Sequence, residues 1–213
     1  MLRSPLTLLP LLLLGLGPAL GAQLPVQFGG AVSVDAPLSD LRTDLNDKVG
    51  LGTSFQVTVR TGERLSVRPR LDLDLFRVSR YHRPFSNYVQ ERTFFSAGAG
   101  ADLLYAFDGT AGNGLYCLAG AGVLQWFQHF TITDHWNHDP DGDYRSDTRK
   151  NRVSPWAALG LGYQVNRHLG FETRAVLSQY DRPAAGGLQV PTGEVPTELR
   201  KALNVQFAVT GRW

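Results

Sequence analysis

Cysteine, lysine and long apolar runs are all scarce in this 213-residue chain, and each scarcity excludes something. One cysteine, Cys117, rules out an intramolecular disulfide framework and leaves a small apolar side chain in a strand as the simplest reading. Lysine occurs only at 48, 150 and 201, so positive charge is carried by arginine. The formal net charge of +2 is too small to imply a nucleic-acid partner. After residue 20 no apolar run is long enough for a membrane-crossing helix.

The one long apolar run lies at the start. Met1–Arg3 supplies a short positive segment, Leu6–Leu20 is Leu-rich, and Leu20–Ala22 offers small residues before Gln23. This is the pattern of a secretory signal peptide over residues 1–22, leaving a single domain over 23–213. Pro5, Pro10 and Pro18 argue against a membrane anchor.

What the rest of the chain has in abundance is alternation. Period-2 alternation places successive side chains on opposite faces of a strand. The last twelve residues show it most plainly: Leu203, Val205, Phe207 and Val209 alternate with Ala202, Asn204, Gln206, Ala208 and Thr210, and Trp213 closes the row. Seven more runs precede it, at 26–35, 51–60, 65–76, 93–107, 114–128, 154–165 and 169–180. In 65–76, Leu65, Val67, Leu71, Leu73 and Leu75 oppose Ser66, Arg68, Arg70, Asp72 and Asp74. Pro69 removes a ladder donor there, and a local bulge is expected. In 114–128 both rows are mostly apolar; Leu115, Cys117, Ala119, Ala121 and Val123 are read as outward.

The connections between runs read long, short, long, short, long, short, long. Long stretches are expected at 36–50, 77–92, 130–153 and 181–201. Such asymmetry, with runs of spanning length, predicts an all-β, eight-stranded, antiparallel up-and-down transmembrane β-barrel with tight turns on one side. An even strand number puts both termini on that side. Tyr105, Phe107, Tyr163, Phe171 and Trp213 are expected at the rim of the short turns, and Phe95, Trp126, Phe127, Trp156 and Tyr180 at the other, as two interfacial belts.

An eight-stranded barrel is only wide enough to be filled by side chains. Arg60, Arg68, Arg70, Asp72, Asp74, Asp102, Glu172, Arg174 and Arg212 would all point inward, with Gly52, Gly98, Gly100, Gly160 and Gly162 leaving them room. A lone buried charge costs several kcal/mol, so these groups must pair. A lumen plugged by ion pairs is expected, built chiefly on Arg68, Arg70, Asp72, Asp74, Asp102, Glu172 and Arg174.

With the leader, the Gly/Ala-alternating strands Ser96–Ala101 and Leu118–Val123, and the closing segment Asn204–Trp213, the chain resembles the small eight-stranded outer-membrane barrels of the OmpA/OmpX-like family. The resemblance covers nearly the whole mature chain and is architectural. It implies a Gram-negative outer membrane, periplasmic termini, contact with outer-membrane lipid and lipopolysaccharide, and recognition of Val205, Phe207, Val209 and Trp213 by the barrel-assembly machinery. No peptidoglycan-binding domain follows the barrel, so a stand-alone barrel is expected.

Four constellations bear on chemistry or binding. Asn137, Asp139, Asp141 and Asp143 before and after Gly142, with Asp147, resemble the start of a calcium loop, but Thr148 stands where a bidentate Glu belongs. A solvated acidic turn explains them as well. His129, His135 and His138 with Asp134 hold a transition-metal spacing without a second ligand pair. Ser146, Ser154 or Ser178 with a loop His would be needed for a lipid-modifying enzyme, and no motif ties any of them to a His. Arg77, Arg80, Arg83 and Arg92, with nearby aromatics, suit anionic lipopolysaccharide phosphates. The expected function is therefore non-enzymatic, structural or loop-mediated, without catalytic residues, cofactor or metal. A narrow solute channel and a lipid-modifying enzyme are the alternatives.

Overall fold

A computed structural model describes residues 26–82, 88–107, 114–134, 144–183 and 197–213. The leader at 1–22 and the acidic stretch 137–143 lie outside them. Eight strands form one closed antiparallel barrel in sequence order: β1 Val26–Leu38, β2 Gly50–Arg60, β3 Leu65–His82, β4 Tyr88–Ala106, β5 Gly114–Asp134, β6 Tyr144–Gln164, β7 Leu169–Pro183 and β8 Thr197–Arg212. A short helix, α1 Ser39–Asp44, follows β1. Closure is made by β1 and β8, with Val32 opposite Val209 and Leu38 opposite Leu203.

The alternation sets the two faces. Val32, Leu51, Leu71, Leu73, Leu75, Leu103, Val123, Leu159, Leu161, Phe207 and Val209 are exposed on the outside. An apolar surface continuous around the barrel would be an aggregation liability in water and is what hydrocarbon solvates. Leu115 and Val123 are among the exposed residues and Tyr116, Leu118 and Leu124 among the buried, which orients β5 despite its two apolar rows. The short connections are tight. Thr61 N and Gly62 N donate to Leu65 O at 3.1 and 3.2 Å. Asn166 Oδ1 accepts from His168 N and Leu169 N at 2.8 and 2.9 Å, an Asx turn.

Four sequence expectations are corrected. First, Pro69 causes no bulge: β3 pairs β4 in unbroken register through Pro69–Ala101, and β2–β3 keeps one register on both sides of it. The missing N–H merely drops rungs toward β2. The register shift on β3 lies instead between Val78 and Tyr81. Second, the connections expected at 77–92 and 130–153 are mostly strand, because β3 runs to His82, β5 to Asp134 and β6 starts at Tyr144. Backbone pairing continues where the apolar/polar alternation has faded, as it does where both faces of a strand meet water. Third, 36–50 is not a plain polar segment: it completes β1 and contains α1. Fourth, Trp126, Trp156 and Tyr180 do not form a lipid-facing belt. They are 2, 4 and 0 % exposed and sit inside. Tyr105, Phe107, Tyr163, Phe171 and Trp213 do face outward at the short-turn end.

The β6–β7 ladder is the least complete. It extends from Gln164–Gly170 only to Ala157–Leu177. Just above this, Pro155 has no donor to offer. Gln179 N donates to Ser154 Oγ at 3.3 Å and Arg152 Nη1 lies 2.8 Å from Asp181 Oδ1, so side chains carry that part of the seam.

Candidate functional site: the filled lumen and its cork

Inward positions of β3, β4 and β7 bring six charged groups together at mid-barrel. Arg68, wholly buried, donates from Nη1 to Glu172 Oε2 at 2.6 Å, and from Nη2 and Nε to Asp102 Oδ2 at 2.7 and 3.2 Å. Arg70 Nε donates to both Asp72 carboxylate oxygens at 2.9 Å, and its Nη1 to Asp102 Oδ2 at 3.0 Å. Arg174 Nη2 lies 3.5 Å from Asp102 Oδ1 and its Nη1 3.9 Å from Asp72 Oδ1, with the guanidinium 5.1 Å from the Trp156 ring. Tyr116 OH donates to Glu172 Oε2 at 3.0 Å. Three arginines face three carboxylates, so the cluster is neutral, which a desolvated site requires.

Asp74 stands apart from that cluster. It accepts from Ser96 Oγ at 2.9 Å and from Gln206 Nε2 at 3.2 Å. Its neighbour is Asp35, wholly buried on β1 and hydrogen-bonded by Ser33 Oγ at 3.0 Å. A Cβ on Gly52 would lie 2.6 Å from Asp74 Oδ1 and 2.9 Å from Asp35 Oδ2, so the two carboxyls converge over that glycine. Neither has an arginine or lysine within ion-pair distance among the described residues. The sequence reading overlooked Asp35, although the exposed row Val32 and Val34 already assigned it to the inner face.

The end bearing the long connections is corked. Leu41 and Leu45 of the α1 region are wholly buried against Phe76, Phe94, Trp126, Phe130 and Tyr180. Their i, i+4 spacing is helical and was the available signal. Phe94 packs edge-on against Phe130 and Tyr180, at 5.7 and 5.9 Å between centroids. Asp44 latches the cork. Tyr180 OH donates to its Oδ2 at 2.5 Å, while Arg182 Nε and Arg92 Nη1 lie 3.2 and 3.6 Å from its Oδ1. The chain enters and leaves the mouth through left-handed residues, Ser39, Asn46 and Asp47, at φ 55, 50 and 61°.

Among the described residues, two small cavities lie in the lumen, about 10 and 20 Å³ in volume, the first beside Ser33, Arg70, Asp72 and Asp74, the second between Trp126, Trp156, Arg174 and Asn204. Each holds about one water. Glycines serve the fill: a Cβ on Gly100 would overlap the Trp156 ring, and one on Gly162 would overlap Tyr116.

The reactive constellations are not assembled among the described residues. Ser154 Oγ is taken by Gln179 N, and Ser178 Oγ accepts from Trp126 Nε1 at 3.2 Å. Both serines are buried inside, whereas His129 sits on the alternate row of β5, between the inward residues Gln128 and Phe130. Among the described residues no three His, Cys, Asp or Glu converge to hold a metal. His135, His138 and 137–143 fall outside those residues, as do the side chains of Ser146 and Asp147. Val205, Phe207, Val209 and Trp213 lie on the outer face of β8, where Trp213 N donates to Phe28 O at 3.0 Å.

No protein-family profile matches the sequence, and no curated protein matches it. Solved structures do. The chain is similar to Ail, the attachment invasion locus protein of Yersinia pestis, solved with the heparin analogue sucrose octasulfate: TM-score 0.52, 8 % identity, 88 % of this chain and 97 % of that one. The N-terminal barrel of Pseudomonas aeruginosa OprF gives 0.41 at 14 % identity over 89 and 100 % of the two chains. Neisserial surface protein A gives 0.45 at 14 % over 88 and 95 %. The likeness to Ail is one of fold: the chain has the fold of the small eight-stranded outer-membrane barrels.

Proposed function

We propose that this chain is a non-enzymatic barrel of a Gram-negative outer membrane, sealed along its axis, which acts through the surfaces it presents and not through its lumen. The observation that carries this is the filled interior: the neutral arginine–carboxylate cluster at mid-height, the α1 cork above it, and, among the described residues, two cavities of only about 10 and 20 Å³. A solute path needs continuous space, and a one-water void does not provide it. The channel reading is thereby disfavoured. The engagement of Ser154 and Ser178 with an amide and an indole likewise disfavours a rim hydrolase.

In this reading residues 1–22 are the export signal, and both termini lie in the periplasm with the tight turns. The long connections and the cork then face outward from the cell. Lipid and lipopolysaccharide surround the barrel. The alternating end of β8, Val205, Phe207, Val209 and Trp213, is the part offered to the barrel-assembly machinery.

The test is single-channel conductance of refolded protein in planar bilayers, with heat-modifiable gel mobility as the folding control. Heat-modifiable protein without steady conductance is expected. Steady conductance through folded protein would overturn the sealed lumen, and failure to insert would overturn the membrane barrel itself.

A further inference from the structure

Arg68, Arg70 and Arg174 in the mid-barrel cluster have carboxylate partners, and so do the arginines at the mouth: Arg92 and Arg182 on Asp44, Arg152 on Asp181, Arg200 on Glu198. Two on the outer wall do not. Arg77 on β3 and Arg149 on β6 are exposed and form no ion pair among the described residues. Register joins them into one row. Arg77 stands opposite Thr93, Thr93 opposite His129, and His129 opposite Arg149. All four belong to the outward-facing set of β3–β6, the set that includes Leu73, Leu75, Val123 and Val153. With neighbouring strands about 4.8 Å apart, the row spans roughly 14 Å of the barrel's circumference.

The row directly below is apolar on β3–β5 and polar on β6, where Asn151 stands opposite Phe127. Leu75, Phe95 and Phe127 occupy the next outward positions down β3, β4 and β5, and the two phenyl rings lie 5.6 Å apart. Two residues of strand separate the rows by about 7 Å, a headgroup's depth. Aromatic rings at this level mark the membrane interface. Above the arginines, on the aqueous side, stands Glu91. Fixed cations thus sit between an acid toward water and rings toward hydrocarbon. On the opposite wall the outward residues of the same end are Leu38, Gln179 and Leu199, with Lys201.

We propose that the row Arg77–Thr93–His129–Arg149 is a docking site on the barrel's flank for the phosphorylated headgroup of an outer-leaflet lipid, whose acyl chains descend over Leu75, Phe95 and Phe127. The proposal rests on the outer-membrane reading above and names a partner for its lipid-facing surface. Arginine suits the task because its planar fork binds phosphate oxygens in pairs and sheds its hydration readily. Thr93 adds a hydroxyl between the two guanidiniums. The site makes the barrel's lipid contact lopsided, strong on β3–β6 and weak on β8, β1 and β2.

The test is native mass spectrometry of full-length folded protein released from mixed micelles that contain lipid A, against micelles that contain its dephosphorylated form. Retention of the phosphorylated lipid is expected, with roughly fivefold loss for Arg77→Gln or Arg149→Gln and roughly 25-fold loss for both, from the usual contribution of a basic residue at an anionic lipid surface. Arg167→Gln, at a short turn, should retain the lipid as the wild type does. Equal retention of both lipid forms by heat-modifiable wild-type protein would overturn the site, and so would a double variant that holds lipid A undiminished. If the double variant fails to fold, the comparison of the two lipids on wild-type protein still decides. A wild type that folds in neither micelle refutes the membrane-barrel reading instead, which separates the two failures.

Discussion

Replacing Asp102 with asparagine removes the negative charge that three buried guanidiniums surround. Asp102 is 1 % exposed, and its Oδ2 takes bonds from Arg68 Nη2 at 2.7 Å and Arg70 Nη1 at 3.0 Å, with Arg174 Nη2 3.5 Å from Oδ1. The change is nearly isosteric, so no cavity contributes. It turns a neutral cluster of three arginines and three carboxylates into one with an uncompensated buried cation. Removing one partner of a buried pair costs about 3–5 kcal/mol. The amide also points a donor at guanidinium donors. Asp74→Asn makes the same chemical change on the adjacent strand β3 with the opposite expectation. Asp74 faces Asp35, and no arginine or lysine lies within ion-pair distance of either among the described residues. Replacing one of the two converging carboxyls leaves no like-charge pair to form there, and the amide keeps an acceptor for Ser96. Asp74→Asn should therefore stay within about 1 kcal/mol of wild type or stabilise it. Equilibrium unfolding in urea from lipid vesicles, followed by tryptophan emission and gel mobility, measures both. Equal losses in the two variants, or a loss below about 1 kcal/mol for Asp102→Asn, would refute the charge-balance argument.

Three further outcomes follow from the geometry. In single-tryptophan variants within brominated-lipid vesicles, Trp213 emission should be strongly quenched and Trp156 emission preserved, since they are 69 and 4 % exposed; quenching of Trp156 would return it to the lipid face. Asp44→Ala should cost about 1.5–3 kcal/mol by orphaning Tyr180 OH and two guanidiniums, and should accelerate hydrogen exchange across 39–45. Unchanged protection there would mean the leucines alone hold the cork. Gly100→Leu should abolish the heat-modifiable form, because a side chain there meets the Trp156 ring and the Ala121 carbonyl. Gly62→Ala, with nothing within 4 Å of the added carbon, should fold normally.

The sequence by itself determined strand number, the facing of nearly every strand and the presence of a charged interior. Hydrocarbon solvates only one face of each strand, so lipid writes a period of two into the chain, and that period is local. Even Trp126 was legible, since it shares parity with Tyr116 and Leu118; the expectation that aromatics gather in belts overrode the count. The tertiary structure decided which inward groups meet. Arg68 finds Glu172 104 residues away, and Tyr180 finds Asp44 across 136. These meetings depend on stagger and closure around the whole barrel, and no window of sequence contains them. The same holds for the split of the acids into a neutralised set on arginines and an isolated pair, Asp35 and Asp74, over Gly52. The cork lies between these cases. Leu41 and Leu45 showed a helical spacing, but only the mouth formed by Phe76, Phe94, Phe130 and Tyr180 makes a six-residue helix worth forming. An isolated helix that short is unstable in water, and burial of Leu41 within it and Leu45 just after it supplies what propensity cannot.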